Sequence, residues 1–432
     1  NTYSAGTTVG AGTLQLGDLN TAGSILGNVS VGSGGTFDVV NADTGGITGI
    51  TNAGRANFRN ASSAGSATIA NTSSLYFYTD STADNAAITN GSFLAFSDAS
   101  TAGSATITNS GSLSFNNTST AGNATITNNA GGTLNFYNTS TAGDANITNN
   151  DGVAFHDTST AGSADITNSG VLYFYDHSTA GDAAITNSGS LAFFADSTAG
   201  SATIANNSNL YFRGTSTAGS ATVTNDSYLG FSGSSTAGSA AITNNGDLYF
   251  YSTAGNATIT NNSGLYFATT STAGDANITN SSILSFYDNS TAGSATIANN
   301  SGVLSFSRSS TAGNADITND SFVAFSDTST AGNADITNNN TVNFYNTSTA
   351  GNATIDNTGT VNFSASTGPA GDHKLSAGSI AGAGSFILGA NELTVGSNNA
   401  TTEVSGVISG VGGALVKTGS GTLTLSGTNT YT

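Results

Sequence analysis

The sequence predicts an all-β chain: a parallel β-helix, or β-solenoid, of roughly 19-residue coils stacked through Asn and Phe ladders. Three observations predict it. A phrase Ser-Thr-Ala-Gly, or a close variant, returns at a nearly constant interval. Within each interval, apolar and polar residues alternate over two short segments. Asn and Phe then recur at fixed places in every copy.

The phrase begins at residues 62, 81, 100, 119, 140, 159, 178, 197, 216, 235, 252, 271, 290, 310, 329 and 348. Most steps are 19 residues, with 21 after 119, 17 after 235 and 20 after 290. A degenerate earlier copy begins near Asp43, making seventeen copies. In the unit Ser100–Thr118, counted from its Ser, positions 6 and 8 are Ala105 and Ile107, and positions 14 and 16 are Leu113 and Phe115. Each pair alternates with period 2, the periodicity of a strand rather than a helix. Such a unit is too short for a globular domain and suits one coil that buries its apolar layer only by stacking on its neighbours. Seventeen coils at about 4.8 Å each predict a rod of about 80 Å.

Position 10 is Asn throughout, at Asn52, Asn71, Asn90, Asn109, Asn128, Asn149, Asn168 and on to Asn357. The Phe position holds Phe58, Phe77, Phe96, Phe115, Phe136, Phe155, Phe174 and on to Phe363. The expected core is therefore ladders of Ile, Phe, Leu or Val, and Ala. Asn is expected in a turn, tolerating left-handed backbone while its amide bonds to the Asn of the next coil. The length changes fall outside the strand segments, at 128–133, at 299–302 and after Phe250, so the core register is kept.

Composition agrees. Charged residues are 7%, glycines number 56, Pro369 is the single proline, and Cys, Met and Trp are absent. Abundant Ser, Thr, Asn and Gly disfavour helix, and the even spacing of Ile, Leu, Val and Phe distinguishes the chain from disordered low-complexity sequence. Six basic against 25 acidic residues give a net charge of −19. That excludes the clustered basic surface nucleic-acid binding needs and opposes docking on anionic membranes. Without cysteine there is no disulfide or thiol chemistry. No apolar run is long enough to span a bilayer, so this segment is not expected to insert directly into a membrane.

The ends differ from the middle. Residues 406–432, GVISGVGGALVKTGSGTLTLSGTNTYT, resemble the autotransporter-associated β-strand motif of Gram-negative type V passenger regions. NTYSAGTTVGAGTLQLG at 1–17 is similar to the second half of that motif, and Asn1-Thr2-Tyr3 recurs as Asn429-Thr430-Tyr431. The Ser-Thr-Ala-Gly coils are similar to repeats of large autotransporter adhesins. The resemblance implies a right-handed helix, export through a C-terminal barrel, and a place outside a Gram-negative cell, on its surface or secreted. Two readings of the ends stay open: one unit of a longer tandem cut mid-motif, or two motifs flanking a fragment. An intact mass near 42.4 kDa would exclude the tandem. The chain divides into N-terminal coils with a partial motif (1–42), the seventeen repeats (43–366) and C-terminal coils carrying the motif (367–432). Ile25, Val29 and Val31 are expected to supply irregular coils.

Candidate chemistry is sparse. His156 and His177 lie in neighbouring coils at different positions, and with His373 they read as exposed loop residues. Asp316 and Asp335 share position 7 of consecutive coils and would stand about 5 Å apart on the outer face; two solvated, mildly repelling carboxylates are the simpler reading than a Ca²⁺ site. The basic residues are scattered. Paired Thr at positions 7 and 9, as in ice-binding solenoids, occurs in only four copies. No catalytic residue, metal ligand or cofactor is expected.

The outer positions 15 and 17 carry a stripe of aromatics, among them Tyr76, Tyr78, Tyr173, Tyr175, Tyr211, Tyr249, Tyr251, Tyr266 and Tyr287. Such a stripe suits sugar stacking or protein contact, or else stabilises the sheet through cross-strand neighbours. The expected function is a non-catalytic extracellular structural or adhesive rod. Its expected partners are further copies of itself, in tandem or end to end, and the surface of a host or neighbouring cell. A β-helix that binds or cleaves polysaccharide is the alternative.

Overall fold

The computed structural model describes residues 5–42 and 44–432. Asn1-Thr2-Tyr3 and Asp43, on which the matched ends and the start of the degenerate copy rest, lie outside the described residues. Among the described residues all regular elements are strands, and successive coils pair in parallel. The fold is a parallel β-solenoid. It forms two compact units, Asn1–Thr222 and Val223–Thr432.

In the first unit, Thr7–Leu16 pairs with Gly27–Val40, which then pairs with both Ile47–Asn52 and Arg55–Arg59. Ile25, Val29 and Val31 are buried; Val29 and Val31 sit in one 14-residue strand whose register shifts against Thr7–Leu16 and against Ile47–Asn52. From Thr68 onward each coil has two four-residue strands, as in Thr106–Asn109 and Ser112–Phe115. Like pairs with like: Ile107 with Ile126, Phe115 with Phe136. A third ladder is one residue wide, running from Thr101 through Thr120 to Thr141.

Period-2 alternation turns Ile107 and Asn109 inward from one strand and Leu113 and Phe115 from the other, all with no exposed surface. Rings of Phe58 through Phe212 stack with centroids 4.5–4.9 Å apart and planes within 10°. That distance is the strand spacing itself, so each ring's faces are covered by its own copies. Beside them, Asn109 Nδ2 donates to Asn128 Oδ1 at 2.8 Å, Asn128 to Asn149 at 3.0 Å, and Asn149 to Asn168 at 2.7 Å. The second amide hydrogen goes to a main-chain carbonyl, as from Asn109 to Thr133 at 3.0 Å. Every amide donates in the same chain direction, so a fully buried polar row is satisfied and its dipoles align.

The amide ladder is as expected, but its backbone is not. Asn at position 10 ends a strand, and positive φ occurs elsewhere: at position 4, as in Gly122 (φ 61°), and at position 18, as in Asn117 (φ 59°). The recurring phrase is explained by its four roles. Ser is buried in these coils. Ser100 Oγ donates to the Phe77 carbonyl at 3.2 Å, whereas the buried Oγ of Ser81, Ser140, Ser178 and Ser197 has no partner among the described residues, so the constant feature is a small residue that fits the packed turn. Thr101 forms the single bridge, and its Oγ1 accepts the Gly103 N–H at 2.9 Å. Ala102 is buried. At the glycine, a Cβ on Gly122 would lie 2.8 Å from the Gly103 carbonyl oxygen, too close for any side chain.

The second unit repeats this plan. Its Phe ladder runs from Phe231 to Phe363 at 4.6–5.0 Å. Its amide ladder runs from Asn225 to Asn357, where Nδ2 leaves the row for the Ser385 carbonyl at 3.0 Å. Beyond residue 367 the coils carry three short strands each. Lys374–Ala377, Glu392–Val395 and Ala414–Lys417 form one face. Ser385–Ile387, Val407–Gly410 and Thr430–Tyr431 continue another. Leu375, Ile380, Phe386, Leu393, Val404 and Ile408 fill the core there.

Candidate functional site

Inward residues recur because stacking fixes them, so any binding site must be sought among outward ones. Positions 15 and 17 flank the buried Phe and point out, and the structure gathers their aromatics into clusters. In the first unit Tyr137, His156, Tyr175 and Phe194 occupy position 17 of four successive coils. Their centroids are 4.8, 5.1 and 5.1 Å apart and their planes within 14°. Tyr173 meets Tyr175 and Phe194 edge-on at 5.8 and 5.5 Å. Arg213 lies 4.5 Å over Tyr211 and 5.9 Å over Phe194. Nearer the N-terminus Tyr76 and Tyr78 stack at 5.3 Å, with Arg55 4.5 Å over Tyr76 and donating to the Tyr78 hydroxyl at 3.2 Å. Two of the scattered arginines are thus cation–π partners of the stripe.

In the second unit Tyr249 stacks on Tyr228 at 5.7 Å and on Tyr266 at 4.7 Å, with Tyr251 at 6.2 Å. Burial pushes the hydroxyls of Tyr78, Tyr175, Tyr249 and Tyr287 above their ordinary pKa. These phenols therefore act as neutral hydrogen-bonding groups. Rings stacked along the coil axis cover one another's faces and offer edges and hydroxyls outward. Tyr251 differs in exposure: at 42% it is the most exposed tyrosine among the described residues, and, as for Tyr78 and Tyr287, its position-17 neighbours, here Ser232 and Ala268, are not rings.

His156 lies one residue beyond the strand Gly152–Phe155 and is half-buried rather than exposed. Its N–H bonds to the Phe136 carbonyl at 2.9 Å, and its ring lies between Tyr137 and Tyr175. Burial lowers its pKa, opposed by Asp176 and Asp157. His177 is exposed with Nε2 3.7 Å from Asp196, and His373 Nδ1 lies 2.8 Å from Asn391 Oδ1. Asp316 and Asp335 are paired in register and exposed, flanked by Thr296 and Thr354. Among the described residues no three His, Cys, Asp or Glu gather as a metal site would require.

A row that sequence reasoning missed lies at position 18. The Asp or Asn there adopts left-handed backbone, and its side chain accepts the N–H of position 18 one coil earlier. Asn138 N–H bonds to Asp157 Oδ2 at 2.8 Å, and Arg308 N–H to Asp327 Oδ2 at 3.0 Å. Several acidic residues therefore cap backbone donors between coils rather than standing free for ligands. The sequence carries the signal as Asp98, Asn117, Asn138, Asp157 and Asp176 at like positions.

The chain was compared with family models, curated proteins and solved structures. No match was found.

Proposed function

We propose that the chain is a non-catalytic extracellular structural and adhesive solenoid, similar to the passenger region of a Gram-negative autotransporter, displayed at the cell surface. One observation carries the reading: the positions filled alike from coil to coil by Ser, Ala, Ile or Val, Asn, Leu or Val, and Phe are buried and serve stacking, while the recurring Thr and Gly of the phrase are half-buried and shape its turn. The outer face varies from coil to coil. A chain so organised repeats a stiff frame and presents many related outer surfaces, which favours weak contacts that sum by avidity. Its partners are other copies of the chain and the surface of a host or neighbouring cell. The acidic charge keeps so large a surface soluble.

Beads coated with the folded chain test this directly. They are expected to bind whole cells, or one another, well above beads coated with heat-unfolded chain. Equal retention of both bead types on every cell type and no bead clustering would overturn the adhesive part.

A further inference from the structure

The 17-residue coil that begins at Ser235 is the only one of the sixteen clear copies to lose residues. It ends at Tyr251 and so has no position 18 or 19. The missing turn leaves a notch of about 330 Å³ between Gly233 and Thr270. Three consequences meet there. Ser252 is a position-1 serine, a position buried at 0–1% exposure in the fifteen other copies, and here it is partly exposed. Elsewhere in this unit the position-19 N–H bonds to the position-18 carbonyl of the preceding coil, as in Asn289 to Thr269 at 2.8 Å and Thr328 to Arg308 at 2.9 Å. Among the described residues, Thr270 has no such carbonyl to bond, and the Gly233 carbonyl has lost the corresponding N–H. A main-chain donor and a main-chain acceptor are therefore left on opposite walls. Tyr251, the most exposed tyrosine among the described residues at 42%, lies at the same notch.

An aromatic face beside a donor, an acceptor and several hydroxyls, with no charge on any described lining residue, matches a neutral pyranose. Such a ring has one apolar C–H face and a rim of hydroxyls that both donate and accept. We infer that the notch between Gly233 and Thr270 binds one neutral sugar unit of a glycan, its C–H face against Tyr251 and its hydroxyls toward Thr270 N–H, Gly233 C=O and Ser252 Oγ. This rests on the adhesive reading and names its ligand class.

Saturation-transfer NMR on the full chain, with the methyl glycosides of glucose, galactose, mannose and their N-acetylated counterparts as probes, tests it. At least one probe is expected to receive transfer at its ring protons. Tyr251→Ser, and insertion of Asn-Thr after Tyr251 to rebuild the turn, should each weaken that signal about tenfold or more, whereas Tyr175→Ser, in a covered stack, should leave it unchanged. Circular dichroism checks that each variant folds, and the insertion merely restores the common coil length. No transfer from any probe, or equal transfer with the insertion variant, overturns the inference. If coated beads still adhere in that case, the adhesive reading survives without the sugar site. Sugar binding without bead adhesion keeps the site and removes the adhesive reading.

Discussion

Replacing one ladder asparagine should weaken the solenoid locally and by a calculable amount. Asn168 accepts from Asn149 at 2.7 Å and donates to Asn187 at 2.7 Å and to the Ser190 carbonyl at 3.1 Å. All three asparagines are fully buried. In Asn168→Ala the Asn187 Oδ1 loses its donor and the Asn149 amide loses its side-chain acceptor. Two buried polar groups left unpaired cost about 1–3 kcal/mol each, so about 4 kcal/mol in total. Because coils interact with nearest neighbours, that loss belongs to the coils on either side rather than to the whole unit. Native-state hydrogen exchange is the assay. Amides between residues 140 and 196 should exchange about a thousandfold faster, the factor equivalent to about 4 kcal/mol, while those before 100 stay within a few-fold. A double-mutant cycle with Asn149→Ala should show coupling of about 1 kcal/mol or more. Acceleration below about threefold, or one spread evenly along the unit, would refute the ladder argument.

Other perturbations follow from the same geometry. Phe155 stacks on Phe136 at 4.5 Å and on Phe174 at 4.8 Å, so Phe155→Ala should cost about 4–6 kcal/mol through cavity and lost stacking, measured by urea titration. Gly162 has φ 62° and a Cβ there would lie 2.7 Å from the Gly143 carbonyl oxygen; Gly162→Ala should destabilise by about 2 kcal/mol or more, whereas Ser163→Ala beside it should be near neutral. His156 has its pKa lowered by burial. Its neutral form is therefore favoured by folding, and its contribution is full above the unfolded pKa and lost as pH falls through the folded one. Stability measured at about pH 8 and about pH 5 should fall less in His156→Phe than in the parent chain; an equal fall in both would contradict the sandwiched geometry.

The period, the inward Ile, Leu and Phe, and the pairing of each Asn with the next are legible in the sequence because large or distinctive residues return at one phase. Ser100 and Ala102 give no such signal. A small residue is compatible with core or surface, and only the stacked backbone shows that Ser100 Oγ reaches a carbonyl 23 residues earlier. Asn as a residue type favours left-handed backbone, but at position 10 it is the last residue of a strand, and the left-handed positions fall on position 18 and on Gly. His156 is hard to place from sequence because its cover comes from Tyr137 and Tyr175 one coil away on either side, and nothing local shows it. The aromatic stripe is legible as a stripe. Which ring faces are covered is not, since that depends on the residue one coil away. The Tyr251 notch follows from a two-residue deletion that is visible in the sequence, but its lost backbone partners emerge only once the coils are stacked.

Immunogold electron microscopy of intact and sectioned cells that make the protein tests the central claim most directly. Label on thin rods or continuous filaments projecting from the outer surface is the predicted result; label confined to the cell interior would contradict an extracellular adhesive solenoid.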